Sequence, residues 1–226
     1  MCPACLAAPQ PLAADYYCTC CRMPFLNDAP LDETGRCDLC RRGLRVFDAA
    51  YSFGAYEDTL RSLIHLFKYE RIRPLAGLFG EWLVSAIPRD KAFDLVVPVP
   101  LHWRRKLDRG FNQSELLARP VAKRYGLRPV NALRRKRPTG VQAGLSNAKR
   151  RLNVSGAFVV KKKSEVAARR VLLIDDVMTT GATLSACAEA LKRAGARYVA
   201  VLTLARVDRR LGAEPYAVES RAVGVL

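Results

Sequence analysis

The sequence predicts an α/β fold with a parallel sheet, preceded by a small cysteine-rich module. Three apolar runs are typical of buried parallel strands: residues 93–100, 171–174 and 198–204. The first run ends in prolines and the second in two aspartates, and a loop and a helix-like segment follow each of them. Seven of the eight cysteines lie within the first 40 residues, which sets that part of the chain apart.

Length, composition and charge limit the classes of function. The 226 residues are half hydrophobic, which is enough for one medium-sized domain and a small accessory one. A net charge of +17 favours a polyanionic partner such as a nucleotide, nucleic acid or an anionic membrane surface, with a solvated basic surface as the alternative. We recognise no signal peptide, and the best apolar window, residues 75–87, is too short for a membrane span. We therefore expect a soluble, cytoplasmic protein without a transmembrane segment.

Two Cys-x-x-Cys pairs indicate a structural metal site. The 15 residues between them fall within the spacing of zinc ribbons, and in a reducing compartment such pairs bind metal rather than form disulfides. Four thiolates complete a tetrahedron around Zn²⁺ and leave no open position for catalysis. The predicted zinc ligands are Cys18, Cys21, Cys37 and Cys40.

The remaining cysteines are assigned differently. Cys2 and Cys5 form a further pair, which either belongs to a second site completed by upstream residues or replaces one of the other pairs. In the second case, Cys20 is a thiol that binds no metal. Cys187 shares a helix face with Leu184 and Leu191, so we expect a small buried apolar residue there.

The other predicted elements follow in chain order. They are a strand or hairpin at 46–56, a helix at 58–69, a helix from Pro74 to about Ile87, short strands at 130–133 and 154–160, and a helix from Leu184 that Gly195 stops. Asn112 is the predicted N-cap of a further helix. Residues 134–153 are long, basic and broken by proline and glycine, as in a lid or a disordered segment.

The stretch 171–183 is the most informative part of the chain. Its apolar run ends in Asp175 and Asp176, and the residues that follow are rich in hydroxyls and glycine: Thr179, Thr180, Gly181, Ala182 and Thr183. A loop of this kind before a helix N-terminus offers backbone N–H groups and Thr hydroxyls to a phosphate monoester. Carboxylates repel phosphate, so the two aspartates favour a ribose diol or a Mg²⁺ ion bound to it. The stretch therefore predicts a site for a ribose 5-phosphate.

A second loop carries a concentration of cations. Arg104, Arg105, Arg109 and Gly110 lie between the strand at 93–100 and the helix capped by Asn112. A cationic loop at the carboxyl end of a neighbouring strand is where a pyrophosphate would lie, across the sheet from the ribose-phosphate site. A solvated basic loop is the alternative.

The stretch 171–183 resembles the phosphoribosyl-pyrophosphate (PRPP) motif of type I phosphoribosyltransferases, in which an apolar run and two acidic residues precede Thr-Thr-Gly-x-Thr. A Walker B strand or a receiver-type acidic pocket also ends a strand in Asp-Asp. Neither explains the Thr-Thr-Gly-Ala-Thr that follows, and the chain contains no Gly-Lys pair for a Walker A loop.

Further motifs are the segments 66–69, 98–102 and 109–113, Thr139 with Gln142 and Leu145, and Arg150 with Asn153. Together they resemble the ComF family, which comprises competence-associated, phosphoribosyltransferase-like proteins with an N-terminal zinc module. The resemblance implies a doubly wound, type I phosphoribosyltransferase-like parallel sheet with a small zinc-ribbon-like module and a mobile flap at about 134–153. It also implies a role in DNA uptake, with single-stranded DNA handled on the cytoplasmic side.

These inferences give a zinc module at 1–45, a phosphoribosyltransferase-like domain at 46–208 and a variable tail at 209–226. The predicted function is PRPP binding, with Mg²⁺, in a protein that handles single-stranded DNA during natural transformation. The alternative is an active phosphoribosyltransferase, similar to amidophosphoribosyltransferases, that transfers ribose 5-phosphate to a base or amine; turnover is left open. A third hypothesis is a transcriptional regulator that uses the zinc ribbon. A DNA-uptake helicase and recombination proteins are candidate partners.

Overall fold

The computed structural model describes residues 2–101, 110–136 and 156–208. Its strands are, in chain order, β1 (Tyr16–Tyr17), β2 (Pro24–Phe25), β3 (Ala49–Ala55), β4 (Leu95–Pro98), β5 (Leu133–Arg135), β6 (Phe158–Val160), β7 (Arg170–Met178) and β8 (Tyr198–Arg206). Its helices are α1 (Pro3–Ala7), α2 (Asp38–Arg41), α3 (Asp58–Tyr69), α4 (Leu75–Ser85), α5 (Gln113–Arg124) and α6 (Ala182–Arg193), with a 3-10 turn at Lys163–Glu165. The predicted tail at 209–226 lies outside the described residues.

The main sheet has four parallel strands in the order β3-β8-β7-β4. The register pairs Val171 of β7 with Leu95 on one side and Val199 on the other. Strands β7 and β8 are apolar on both faces, which is the pattern expected for a sheet covered on both sides by helices. The prediction of a parallel α/β sheet is therefore confirmed.

Alternate residues of the central strands point into two separate cores. On one face, Leu172 and Ile174 contact the apolar sides of α3, α4 and α5. On the other face, Val171 and Leu173 belong to the same buried cluster as α6 and the N-terminal cysteines. Gly80 lets α4 approach α5 closely, because a Cβ at this position would lie 2.3 Å from Cγ of Pro120. Helices on both faces make the sheet doubly wound, as in phosphoribosyltransferases.

Local sequence signals set the helix boundaries. Helix α3 begins and ends where its apolar stripe predicts, with Leu60, Leu63, Ile64 and Phe67 buried. Asn112 caps α5, because its side-chain oxygen accepts a hydrogen bond from the backbone N–H of Ser114 at 3.2 Å. Gly195 follows α6 with a φ of +94°, a left-handed conformation that ends a helix.

One short strand differs from the prediction. The strand expected at 130–133 is displaced to β5, Leu133–Arg135, which pairs with β6 in antiparallel fashion. Backbone hydrogen bonds explain where β5 starts. The N–H of Val130 donates to the carbonyl of Val96, so that Pro129 and Val96 form a parallel bridge next to the main sheet. The segment predicted to be a flap therefore starts within a strand at Arg134 and Arg135. Residues 137–153 of that segment lie outside the described part of the chain.

Among the residues that the structure describes, no helix is both long enough and apolar enough to cross a membrane.

Candidate functional site

A cleft opens at the carboxyl edge of the main sheet, above the ends of β4 and β7. It encloses about 240 Å³ and is lined by polar side chains from several elements: Lys68, Asn112, Ser114, Arg135, Asp175, Asp176, Thr179 and Thr183. The carboxyl ends of parallel strands are where α/β proteins bind their ligands, because the helices that follow the strands begin there. The cleft is therefore the candidate site.

Asp175 and Asp176 lie at the floor of this cleft, near the end of β7. Asp175 Oδ1 accepts hydrogen bonds from Ser114 Oγ at 2.9 Å and from the backbone N–H of Asp176 at 3.0 Å. Ser114 is in the first turn of α5, so the helix capped by Asn112 holds the first carboxylate in place. The two side chains thus have different partners and different surroundings.

Lys68 is the partner of the second carboxylate. Its Nζ lies 2.9 Å from Asp176 Oδ1, and the two side chains are only 15% and 13% exposed. Lys68 is in the last turn of α3, and its backbone carbonyl accepts a hydrogen bond from the side chain of Gln113 at 3.5 Å. The ion pair therefore ties α3 to β7 across the cleft.

Asp175, Asp176 and Lys68 influence one another's charge. Burial raises the pKa of Asp175 to about 7, and the negative charge of Asp176 acts in the same direction, while Lys68 and Ser114 oppose the rise. Burial disfavours the charge on Lys68, but attraction to Asp176 and then Asp175 outweighs it and raises the pKa of Lys68. Near neutral pH the cleft thus holds a carboxyl group that can lose or keep its proton beside a stable ion pair.

The segment from Thr179 to Thr183, called the loop 179–183, joins β7 to α6 and includes the first two residues of that helix. Gly181 is the N-cap residue of α6 with a φ of +77°, a conformation that favours glycine, and the backbone N–H of Ala182 donates to Thr180 Oγ1 at 3.3 Å. All five residues line a small recess of about 50 Å³, and Thr179 and Thr183 also line the main cleft. The structure therefore brings the seven residues at Asp175, Asp176 and 179–183 together.

The predicted pyrophosphate loop falls largely outside the described residues, which exclude Arg104, Arg105 and Arg109. Gly110 is described: it has a φ of +75°, and Arg73 Nη2 lies 4.0 Å from where a Cβ on it would be. Arg135 of β5 is a described cation on the wall of the cleft.

Cys18, Cys21, Cys37 and Cys40 form one buried cluster in which all four sulfurs lie within 4.8 Å of one another. The Sγ atoms of Cys18 and Cys40 are 3.7 Å apart, as are those of Cys21 and Cys37. Tetrahedral Zn²⁺ with Zn–S bonds of about 2.3 Å needs sulfurs about 3.8 Å apart, so the cluster is compatible with a zinc site.

The other cysteines are not members of this cluster, although Cys20 interacts with Cys40. Cys20 contacts the backbone oxygen of Phe47 at 3.4 Å. Cys2 and Cys5 are exposed, with their sulfurs 3.1 Å apart. Cys187 is fully buried in α6, as predicted.

Sequence reasoning missed Lys68 and Ser114 as members of the site. The signal for Lys68 is its place in the segment 66–69, one of the motifs on which the family resemblance rests. Ser114 gave a weaker signal, its position directly after the N-cap residue and a glutamine.

The chain is similar in sequence to several known proteins. The family model described as "Phosphoribosyl transferase domain" matches residues 113–220. Competence protein F of Haemophilus influenzae is 32% identical over 179 residues, which cover 75% of this chain and 78% of that protein. DNA utilization protein YhgH of Escherichia coli K12 is 29% identical over 84% of this chain and 96% of its own length. Competence protein ComFC of Streptococcus pneumoniae is 28% identical over 74% of this chain and 71% of its own length.

Proposed function

Since the chain belongs to the ComF family of competence-associated, phosphoribosyltransferase-like proteins, we propose that its cleft binds PRPP with Mg²⁺. We further propose that the protein handles single-stranded DNA during natural transformation. The observation that carries the first proposal is the meeting of two carboxylates, a lysine and a hydroxyl-rich helix N-terminus in one cleft.

The two ends of the cleft suit the two ends of a ribose 5-phosphate. The carboxylates of Asp175 and Asp176 are acceptors for the two hydroxyls of a ribose diol. The loop 179–183 supplies threonine hydroxyls and the positive end of the α6 dipole for the 5′-phosphate. Gly181 allows the ligand to approach the backbone, because no side chain covers the turn.

The carboxylate oxygens of Asp175 and Asp176 are also the donors that Mg²⁺ prefers. When bound, Mg²⁺ would neutralise part of the charge of the pyrophosphate and of the carboxylates. Lys68 balances the charge of Asp176. This reduces the repulsion that a polyanionic ligand would meet at an acidic site.

We propose that Zn²⁺ bound by the four clustered cysteines has a structural role only, because four thiolates leave no position for a substrate.

The proposal on DNA is supported by charge. The chain has a net charge of +17, the described cations Arg134, Arg135 and Lys136 follow one another in the sequence, and Arg135 lines the cleft. Cations in a row can track a phosphate backbone without reading its bases. A DNA strand and PRPP would then share one basic region.

Isothermal calorimetry with PRPP, with and without Mg²⁺, tests the PRPP proposal. Ribose 5-phosphate and pyrophosphate, titrated separately, tell which half of the cleft contributes. Saturable PRPP binding that needs Mg²⁺ is expected, and its absence in folded, zinc-loaded protein would overturn the proposal. Pyrophosphate release with candidate bases or amines then decides between binding alone and the alternative, an active transferase.

A further inference from the structure

Cys2 and Cys5 form a separate pair of sulfurs at the first helix of the chain. Both residues are exposed, and their Sγ atoms lie 3.1 Å apart. Cys2 is the N-cap residue of α1 and has an extended backbone, and the backbone N–H of Cys5 donates to Cys2 Sγ at 3.4 Å. The turn therefore holds the two thiols against each other at the surface of the protein.

The distance between these sulfurs distinguishes the pair from the four-cysteine cluster. Within the cluster, Sγ atoms of paired cysteines are 3.7 Å apart, close to the roughly 3.8 Å that two sulfurs need on one tetrahedral Zn²⁺. At 3.1 Å, the sulfurs of Cys2 and Cys5 are too close for that geometry. Across residues 2–101, 110–136 and 156–208, the four-cysteine cluster is also the one group of three or more potential metal ligands. The pair thus has neither the sulfur spacing nor, among those residues, the further ligands of a zinc site.

A close pair of exposed thiols is suited to form a disulfide. An S–S bond is about 2.05 Å long, so the two sulfurs need to approach each other by roughly 1 Å. The hydrogen bond from the N–H of Cys5 stabilises negative charge on Cys2 Sγ, and the thiolate is the form that attacks a disulfide. The geometry therefore favours Cys2 as the attacking sulfur and leaves Cys5 to resolve the product.

The segment that follows the pair is attached to the rest of the fold. Leu6 of α1 packs against the buried cluster that includes residues of α3, α4 and α5. The N–H of Leu12 donates to the carbonyl oxygen of Phe53 in β3 at 2.6 Å, and the hydroxyl of Tyr17 donates to the carbonyl oxygen of Leu12 at 2.9 Å. A bond between Cys2 and Cys5 therefore closes a ring within one exposed turn, beside a segment that is held in place by other contacts.

We infer that Cys2 and Cys5 are a reversible disulfide site, which small-molecule disulfides such as oxidised glutathione oxidise and thiols such as reduced glutathione reduce. The Cys2 thiolate attacks one sulfur of oxidised glutathione, the S–S bond breaks, and one glutathione leaves as a thiolate that takes up a proton. Cys5 then loses its proton, attacks Cys2 Sγ in the mixed disulfide and releases the second glutathione. Two cysteine thiols are oxidised, and one glutathione disulfide is reduced to two thiols. PRPP binding plays no part in this site.

The test compares zinc-loaded wild type with Cys2→Ser, Cys5→Ser and Cys20→Ser in excess oxidised glutathione, with the remaining thiols blocked by iodoacetamide. Intact mass counts glutathione adducts and blocked thiols, and digestion with chymotrypsin places the disulfide in a peptide that ends before Cys18. Elemental analysis gives the zinc content. Cys20→Ser is the matched control, because Cys20 also lies outside the four-cysteine cluster and its sulfur contacts the backbone oxygen of Phe47.

We expect wild type and Cys20→Ser to form the disulfide between Cys2 and Cys5, with a glutathione adduct left on less than about a tenth of the chains, because the second step is intramolecular. Cys5→Ser should stop at a stable mixed disulfide on Cys2. Cys2→Ser should react at least about tenfold more slowly than Cys5→Ser, since it lacks the thiol that is stabilised as a thiolate. Excess reduced glutathione should restore both thiols in wild type.

Folded, zinc-loaded wild type that keeps both thiols in excess oxidised glutathione would refute the site. A stable glutathione adduct on wild type, or a disulfide that links two chains, would refute it as well, because Cys5 then fails to resolve the mixed disulfide within its own chain. A second equivalent of zinc that is present in wild type and missing from Cys2→Ser would show that the pair binds metal instead. Equal rates for Cys2→Ser and Cys5→Ser would contradict the assignment of Cys2 as the attacking sulfur.

Discussion

Lys68 Nζ and Asp176 Oδ1 lie 2.9 Å apart and join the last turn of α3 to the carboxyl end of β7. The chain contains an exposed counterpart of this pair, Lys91 and Asp90, whose atoms are 2.7 Å apart while the side chains are 36% and 69% exposed. The two pairs have similar N–O distances but different access to water. Since solvent screens the exposed pair far more strongly, they provide a matched comparison.

Lys68→Met should destabilise the protein by about 1–3 kcal/mol at neutral pH, because it leaves the partly buried Asp176 without its partner. Lys91→Met should change stability by less than about 0.5 kcal/mol. Urea unfolding of both variants measures the difference. Equal effects would mean that the pair in the cleft contributes no more than a surface ion pair.

Replacing both carboxylates, Asp175→Asn with Asp176→Asn, should weaken Mg²⁺-dependent PRPP binding at least about a hundredfold, because each lost charge-assisted contact is worth about 1.5–3 kcal/mol. Calorimetry measures the affinity, and circular dichroism checks the fold. Asp90→Asn removes an exposed carboxylate and should bind PRPP like wild type. Undiminished affinity in the folded double variant contradicts the assignment.

PRPP affinity should depend on pH through Asp175, whose pKa is raised to about 7 from the ordinary 3.8. Mg²⁺ and the ribose diol need the carboxylate form, so affinity should rise by up to about tenfold per pH unit below 7 and level off above it. Calorimetry between pH 5.5 and 8.5 measures this slope. Asp175→Asn should bind weakly with a flatter profile, and a wild-type profile that is flat throughout would argue against Asp175 as a ligand.

The raised pKa of Asp175 also makes the stability of the folded protein depend on pH. The raised pKa means that the folded state holds a proton that the unfolded state releases, so the stabilisation is full below pH 3.8 and is lost as the pH rises through about 7. Asp175→Asn should therefore increase stability relative to wild type more at pH 8 than at pH 5. Urea unfolding at the two pH values tests this, and the opposite order would contradict burial as the cause.

Cys37→Ser should release zinc and unfold the N-terminal module, because metal binding and folding are coupled in small sites. Cys20→Ser is the control: this thiol lies beside the same residues but outside the four-cysteine cluster, and the variant should retain its zinc. Elemental analysis and circular dichroism report the two outcomes. Zinc-free wild type, purified without chelator, would argue against the metal site.

The affinity for single-stranded DNA should fall as the salt concentration rises. For each phosphate that the protein neutralises, the logarithm of the affinity should fall by about 0.7 for a tenfold rise in salt. Reversing the exposed residues Arg134 and Lys136 to Glu should reduce this slope and weaken all sequences alike, because phosphate contacts carry no base information. Fluorescence anisotropy with labelled oligonucleotides over a salt series measures both effects. A salt-independent signal would favour the alternative, in which the positive charge forms a solvated basic surface and does not bind DNA.

Periodic and capping signals predicted the elements that build the cleft. The bounds of α3 follow from its apolar stripe, and the start of α5 follows from Asn112, because both depend on neighbours within one or two turns. The run 171–176 likewise identified the strand and the two carboxylates. These features are local, so the sequence contains the information directly.

Features that depend on distant contacts could not be predicted in this way. Lys68 is one of three lysines in the described α-helices, and only the fold brings it to Asp176. Arg45 and Arg206 are buried against the usual preference of arginine for solvent, because the cysteine module packs on the sheet. The start of β5 depends on hydrogen bonds to β6 from the far side of a long connection.

Strand β8 is the last strand of the described chain, yet it lies in the middle of the sheet, between β3 and β7. Ser52 Oγ of β3 meets Thr203 Oγ1 of β8 at 2.7 Å, although 151 residues separate them. During synthesis at about 5–20 residues per second, β3 therefore waits on the order of ten to thirty seconds for its neighbour. Throughout that interval the nascent chain exposes an apolar strand edge, so aggregation and chaperone capture compete with folding until β8 has emerged from the ribosome.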